Sequence, residues 1–111
     1  MELQKKPLEI SYSNRSLADL VDMVTFIGAN SKASAHNMHR RIKDRIALAA
    51  EFPGIGKPSQ NPAHAKRGVQ FTSEGKYHIY YRVQRKQLRV LHIRHSAMRA
   101  PSLSDLFDEN E

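Results

Sequence analysis

Cysteine is absent from the chain, which excludes disulfides, thiol catalysis and zinc sites built on thiolates. Long apolar runs are absent as well, and none approaches the about 20 residues needed to span a bilayer. The first ten residues, MELQKKPLEI, lack the apolar core of a signal peptide, so a cytoplasmic location is expected. Acids are scarce in one place in particular. From Lys66 to Arg99 there are nine Lys and Arg against a single acid, Glu74. The chain carries 18 Lys and Arg against 11 Asp and Glu, a net +7, so this one stretch holds the whole excess. Such clustering points to a nucleic acid or an acidic protein as partner, and charge alone does not separate the two.

What is present is ordinary for one globular domain: 111 residues, 40% hydrophobic and 26% charged. Leu8–Tyr12 alternates apolar and polar residues and reads as a short strand. Ser16 with Asp19 has the spacing of a capping box. Leu17, Leu20, Val21, Val24, Ile27 and Gly28 then mark one stripe of a helix. A second helix starts near Ser31 or Ser34 and runs to about Phe52, with a stripe of Ala35, Met38, Ile42, Ile46, Ala49 and Phe52. Its other side carries Arg40, Arg41, Lys43 and Arg45, read as a solvated face or a surface for acids. The short link between the helices forces an antiparallel hairpin. Pro53-Gly54-Ile55-Gly56-Lys57-Pro58 stops the second helix, and residues 57–65 read as a polar loop.

Arg67–Thr72 is a strand candidate ending in a turn at Ser73-Glu74-Gly75. Tyr77–Val83 and Leu88–His95 follow as a hairpin across Gln84–Gln87, a break without the Asn-Gly chemistry of a primed turn. Tyr77, Ile79, Tyr81 and Val83, with Leu91 and Ile93, are expected on the core face. His78, Tyr80, Arg82, His92 and Arg94 are expected on the other. The order β-α-α-β-β-β predicts an α+β two-layer fold, a helical hairpin on a twisted antiparallel sheet that the first strand joins. Residues 102–111 form an acidic tail after a domain spanning 1–101. That tail reads either as a frayed, solubilising end or as a short helix capped by Ser102 whose Leu103, Leu106 and Phe107 dock beside the sheet. Its Asp105, Asp108, Glu109 and Glu111 are placed near Arg82, Arg94 or Arg99.

Several sites fail on their chemistry. His36-x-x-His39 has no third ligand, and His92-x-x-His95 has an odd offset that splits two rings across a strand. No metal and no cofactor is expected. No serine sits in a strand-to-helix elbow, and the Pro53–Pro58 stretch lacks the Lys-Ser/Thr pair of a phosphate loop. A set on the sheet and its exit remains: Arg67, His78, Arg82, His92, His95 and Arg99. Such residues can serve a general base and a phosphoryl transition state, or an interface with an acidic partner.

From Ile10 to about Pro101 the chain resembles the RelE/ParE superfamily of toxins from type II toxin–antitoxin systems, closest to the ParE branch. The matching pieces are SLADLVDMVTFIGANS, LAAEFPGIGKP, Arg67-Gly68-Val69, YHIYYRV and VLHIRHSAMRAP, the last ending in His95, Arg99 and Pro101. The resemblance implies a plasmid-stabilising, growth-inhibiting toxin that inhibits DNA gyrase without catalysis. It also implies neutralisation by a cognate antitoxin through an acidic C-terminal segment, with His95, Arg99, Arg82 and Arg94 as partner-binding residues. The RelE branch instead cuts mRNA on the ribosome, and there Arg67, Arg82, His95 and Arg99 would be the catalytic set. Where RelE-like ribonucleases carry an arginine, this chain has His78, an imidazole largely neutral near pH 7 and a poor phosphate clamp. The ParE branch is therefore the expectation.

Overall fold

A computed structural model describes residues 6–107. Five strands form one sheet in the order β1-β5-β4-β3-β2: β1 Glu9–Tyr12, β2 Lys57–Pro58, β3 Gln70–Glu74, β4 Tyr77–Gln84 and β5 Gln87–His95. Strands β2 to β5 are antiparallel neighbours, and β1 joins β5 in parallel, making the sheet mixed. Helices α1 (Asn14–Gly28) and α2 (Lys32–Glu51) form the hairpin layer. The α+β two-layer arrangement read from the sequence holds. Two short helices are added to it, α3 (Pro62–Lys66) and α4 (Leu103–Leu106). The stretch 57–65 is accordingly not a plain loop. Lys57–Pro58 pairs with Phe71 and Gln70, and Asn61 caps α3. Proline at that outer edge leaves a donor missing and blunts further pairing.

The start of α1 differs from the sequence reading. Ser13, not Ser16, is the N-cap, and its hydroxyl accepts from Ser16 N–H at 3.0 Å. The same hydroxyl donates to the Leu91 carbonyl at 2.8 Å, so one buried side chain caps the helix and fixes it to the sheet. This turns α1 so that Ser16, Leu20 and Met23 are buried while Leu17 and Val21 face outward, 48% and 64% exposed. In α2, Ala35, Ile42, Ile46 and Ala49 are buried as read. Its cationic side is not simply solvated. Arg41 donates to Glu74 Oε2 from Nε (3.0 Å) and Nη2 (2.7 Å), Arg45 Nε donates to Thr72 Oγ1 at 2.8 Å, and Lys43 lies over the Tyr12 ring.

Strand β3 begins three residues later than read. Arg67 ends α3, and Gly68, at φ +83°, turns the chain into β3 in a conformation that favours glycine. The β4–β5 hairpin closes through only two residues, Arg85 and Lys86, at φ 52° and 63°. Both lie in the left-handed region, so the turn is of the primed kind despite its side chains. A register shift at Tyr80/Tyr81 changes the faces as well. Ile79, Tyr81, Leu88, Val90 and Ile93 pack under the helices, but Leu91 joins Val69, Tyr80 and Leu106 in a second apolar cluster. Simple alternation put Leu91 with Ile93. The extra residue of a bulge reverses it.

Candidate functional site

β1 leaves β5 at Val90, so the outer edge of β5 from Leu91 to His95 has no strand beside it. Helix α1 supplies what that edge lacks. Ser13 takes the Leu91 carbonyl, and Asp19 Oδ2 accepts from the Ile93 N–H at 2.9 Å and from His92 Nδ1 at 2.6 Å. The short contact assigns the ring proton of His92 to Nδ1. Arg15 Nε donates to the other oxygen of Asp19 at 3.2 Å. Asp19 is thus a clasp between helix and strand edge, not a member of a capping box.

Between α1 and the exit of β5 lies a groove of about 470 Å³. Met23, Phe26, Tyr77, Ile93 and Met98 give it apolar walls; Arg15, Arg94, His95 and Arg99 add cationic or polar groups, with Asp22 and Asp105 also at its border. Phe26 is 74% exposed and Met98 64%, a costly display of large apolar groups unless something covers them. Phe26 lies off the buried stripe of α1, and an off-phase aromatic was the one signal in the sequence that could have marked this wall.

Three of the four partner-binding candidates border this groove. Arg94 is committed to structure: Nε and Nη2 donate to Tyr80 Oη, and Nη1 donates to the carbonyls of His95 and Met98, holding the turn after β5. His95 packs its ring edge-on to Tyr77, and its Nδ1 accepts from Ala97 N–H at 3.0 Å. In the neutral ring this leaves the proton on Nε2, so no lone pair is free for a general base. Arg99 is the open one, 71% exposed in its side chain, with Nη1 donating to Asp105 Oδ2 at 3.2 Å.

Arg82 and Arg67 are elsewhere. Both lie against the Phe107 ring, Cζ to centroid 5.0 and 3.9 Å, apart from the groove. Burial, then the charges of Arg67 and Arg89, lower the Arg82 pKa. The set Arg67, Arg82, His95 and Arg99 therefore does not line one groove. His78 accepts or shares a proton with Ser73 Oγ at 3.2 Å, and burial followed by the Arg94 charge lowers its pKa. A ring kept neutral is no anion clamp. His92 and His95, read as pointing apart, both border the groove because it lies beyond the edge of β5, yet each has its Nδ1 engaged. His36 and His39 line a shallower groove between α1 and α2 beside Lys32, whose charge disfavours a metal there.

Of the two readings of the C-terminal segment, the docked helix is the one observed over the described residues, in part. Ser102 and Asp105 form a reciprocal capping box, Leu106 is 2% exposed and Phe107 is half-buried, while Leu103 points outward. Burial alone would raise the Asp105 pKa, but hydrogen bonds from the Ser102 N–H and hydroxyl and the charges of Arg15 and Arg99 lower it overall. The placement read for Asp108, Glu109 and Glu111 lies outside the described residues.

The architecture defines the class: a helical hairpin over one face of a sheet, in the manner of the RelE/ParE superfamily. A chromosomal ParDE toxin–antitoxin system from P. aeruginosa matches with a TM-score of 0.65 at 17% identity, over 79% of this chain and 95% of that one. The toxin–antitoxin complex RelBE2 from Mycobacterium tuberculosis matches at 0.57 and 18% identity, over 87% and 100%. At such identities the likeness is one of fold. Toxin ParE1 of Caulobacter vibrioides is 28% identical over 96 residues, 86% of this chain and 94% of that protein. Residues 10–100 match the family described as ParE toxin of type II toxin-antitoxin system, parDE, and the chain belongs to that family.

Proposed function

We propose that this ParE-family chain is a cytoplasmic toxin that inhibits DNA gyrase by binding rather than by catalysis, and that a cognate antitoxin neutralises it. The observation that carries the reading is the groove beside α1. It combines exposed apolar walls, Phe26 and Met98, with an exposed cation, Arg99, and the neutral ring of His95 has no free base nitrogen in the observed hydrogen-bond pattern. That is the chemistry of a docking surface for an amphipathic, acidic segment that orders as it binds. His95, Arg99 and Arg94 border this surface, and Arg82 lies apart from it, against the Phe107 ring. Two structural neighbours being toxin–antitoxin systems supports a partner of this kind. No helix among the described residues is long and apolar enough to cross a membrane.

The test is induced expression in bacteria without antitoxin, paired with purified assays. Filamentation, a DNA-damage response and loss of gyrase supercoiling are expected, with ribosome-bound mRNA left intact. Cleavage of mRNA in the ribosomal A site would move the chain to a RelE-like ribonuclease activity. Phe26→Ser and Arg99→Glu should each weaken capture of the antitoxin co-expressed from the adjacent gene. Arg99→Glu should act mainly on the association rate, which should fall as salt rises.

A further inference from the structure

The family match ends at residue 100, and beyond it Leu106 and Phe107 are packed onto the sheet. On the face away from the hairpin, Val69, Tyr80 and Leu91 make an apolar floor on which Leu106 is seated, with Phe71 and Phe107 packed against the cluster. Two guanidinium groups, of Arg67 and Arg82, frame the Phe107 ring. Gly68 turns the backbone beside the Arg82 stem, and it is the positive φ that favours glycine there, since an added Cβ would stand in ordinary contact 3.5 Å from Arg82 Cγ. Arg82 also faces Arg89 directly across the β4–β5 ladder, a like-charge pair that opposes the pairing. Among the described residues neither Arg67 nor Arg82 has a carboxylate partner. The site holds an aromatic ring between two cations that have no carboxylate partner among the described residues.

The segment now in the seat is weakly built. Helix α4 has four residues, too few to be stable by itself. Its polar ties run from Asp105 to Arg15 (3.3 Å) and Arg99 (3.2 Å), both substantially exposed, and exposed ion pairs contribute little. What holds it is the burial of Leu106 and the half-burial of Phe107, which side chains from another molecule can replace one for one.

We propose that this face, framed by Arg67 and Arg82, is a second protein-binding surface for an acidic peptide segment carrying an aromatic residue, and that residues 105–107 occupy it in cis until such a segment displaces them. The sequence of the occupant indicates the ligand class: Asp-Leu-Phe, followed in the chain by Asp-Glu-Asn-Glu. The apolar floor of Val69, Tyr80 and Leu91 suits Leu and Phe side chains, and the two cations suit neighbouring carboxylates. Because Asp105 also borders the groove beside α1, displacement would release Arg99 and the Nη1 of Arg15 there, Arg15 Nε staying on Asp19, and so couple the two surfaces. The inference does not depend on gyrase being the target.

The experiment uses the full chain and a fluorescein-labelled synthetic peptide, SLSDLFDENE, read by fluorescence anisotropy. A scrambled peptide and a ten-nucleotide single-stranded RNA serve as comparison probes. Wild type should bind the peptide weakly, because the cis segment competes at a high effective concentration. Phe107→Ala should tighten binding by about tenfold or more. Asp105→Asn, which loosens the segment while keeping Phe107, should tighten it too and stands in if Phe107→Ala does not fold. Adding Arg67→Gln and Arg82→Gln to either variant should abolish the gain. Equal affinity of wild type and both folded variants overturns the proposal. So does RNA binding tighter than peptide binding in Phe107→Ala, or a wild-type dimer that the peptide dissociates, which would make the occupant another copy of the chain.

Discussion

Asp19→Ala is the substitution whose cost the structure specifies most closely. The Asp19 side chain is only 9% exposed and accepts from His92 Nδ1, the Ile93 N–H and Arg15 Nε. Arg15, at 47% exposure, can turn to water and adds little. The other two donors are buried against the strand edge. Each left without an acceptor costs about 1–3 kcal/mol. Their sum, about 2–6 kcal/mol, brackets the about 3–5 kcal/mol lost when one partner of a buried pair is removed, the narrower range expected for Asp19→Ala. A single domain of this size has about 5–15 kcal/mol to lose, so the variant should remain folded but melt about 12–20 °C lower. Asp19→Asn, which keeps one carbonyl acceptor, should lose roughly half as much. Urea denaturation gives the energies, and a double-mutant cycle with His92→Phe should return a coupling of about 1.5–3 kcal/mol. Hydrogen exchange at the Ile93 amide reads the same contact locally and should accelerate in Asp19→Ala beyond the global change. A loss below about 1 kcal/mol, strict additivity in the cycle, or an Ile93 amide as protected as in wild type would refute the clasp.

Gly56→Ala should destabilise by about 1–3 kcal/mol in the same denaturation assay, because the added Cβ would overlap Tyr81 Oη and lie 2.7 Å from Cζ. Tyr81 is 1% exposed and donates to the Pro53 carbonyl, so it has no free path to move aside. Replacing Arg85-Lys86 by Asn-Gly should raise the denaturation midpoint, by about 1 kcal/mol of stability, since both positions sit at positive φ. The lowered pKa of Asp105 gives a pH dependence of definite sign. Its contribution is fully present above the ordinary carboxylate value near 3.8 and is lost as pH falls through the lower folded-state value. The stability difference between wild type and Asp105→Asn should therefore be constant from neutrality to about pH 5 and shrink only in stronger acid. A difference that already collapses between pH 7 and 5 would show that another group carries it.

The family and the layer architecture were legible in the chain because they rest on local signals. Helical periodicity from Leu20 to Ile46, the Pro53–Pro58 stop and three β-rich segments in a row leave little choice of fold class. The excess of Lys and Arg between residues 66 and 99 was equally plain. Tertiary structure decided the rest. The bulge at Tyr80/Tyr81 moved Leu91 to the second face, and no period-two pattern can announce one inserted residue. Ser13 displaced Ser16 as the cap because it also reaches the Leu91 carbonyl, a partner 78 residues away that local spacing does not contain. Asp19 has the right spacing for a capping box, yet β5 beyond Val90 is an open edge, and that need recruited it. The candidate arginines divided for the same kind of reason. Arg99 and Arg82 are 17 positions apart in one basic stretch, but one belongs to the groove beside α1 and the other to the face beneath Phe107. Composition sets how much charge a segment carries; the packing of strands and helices decides which charges meet.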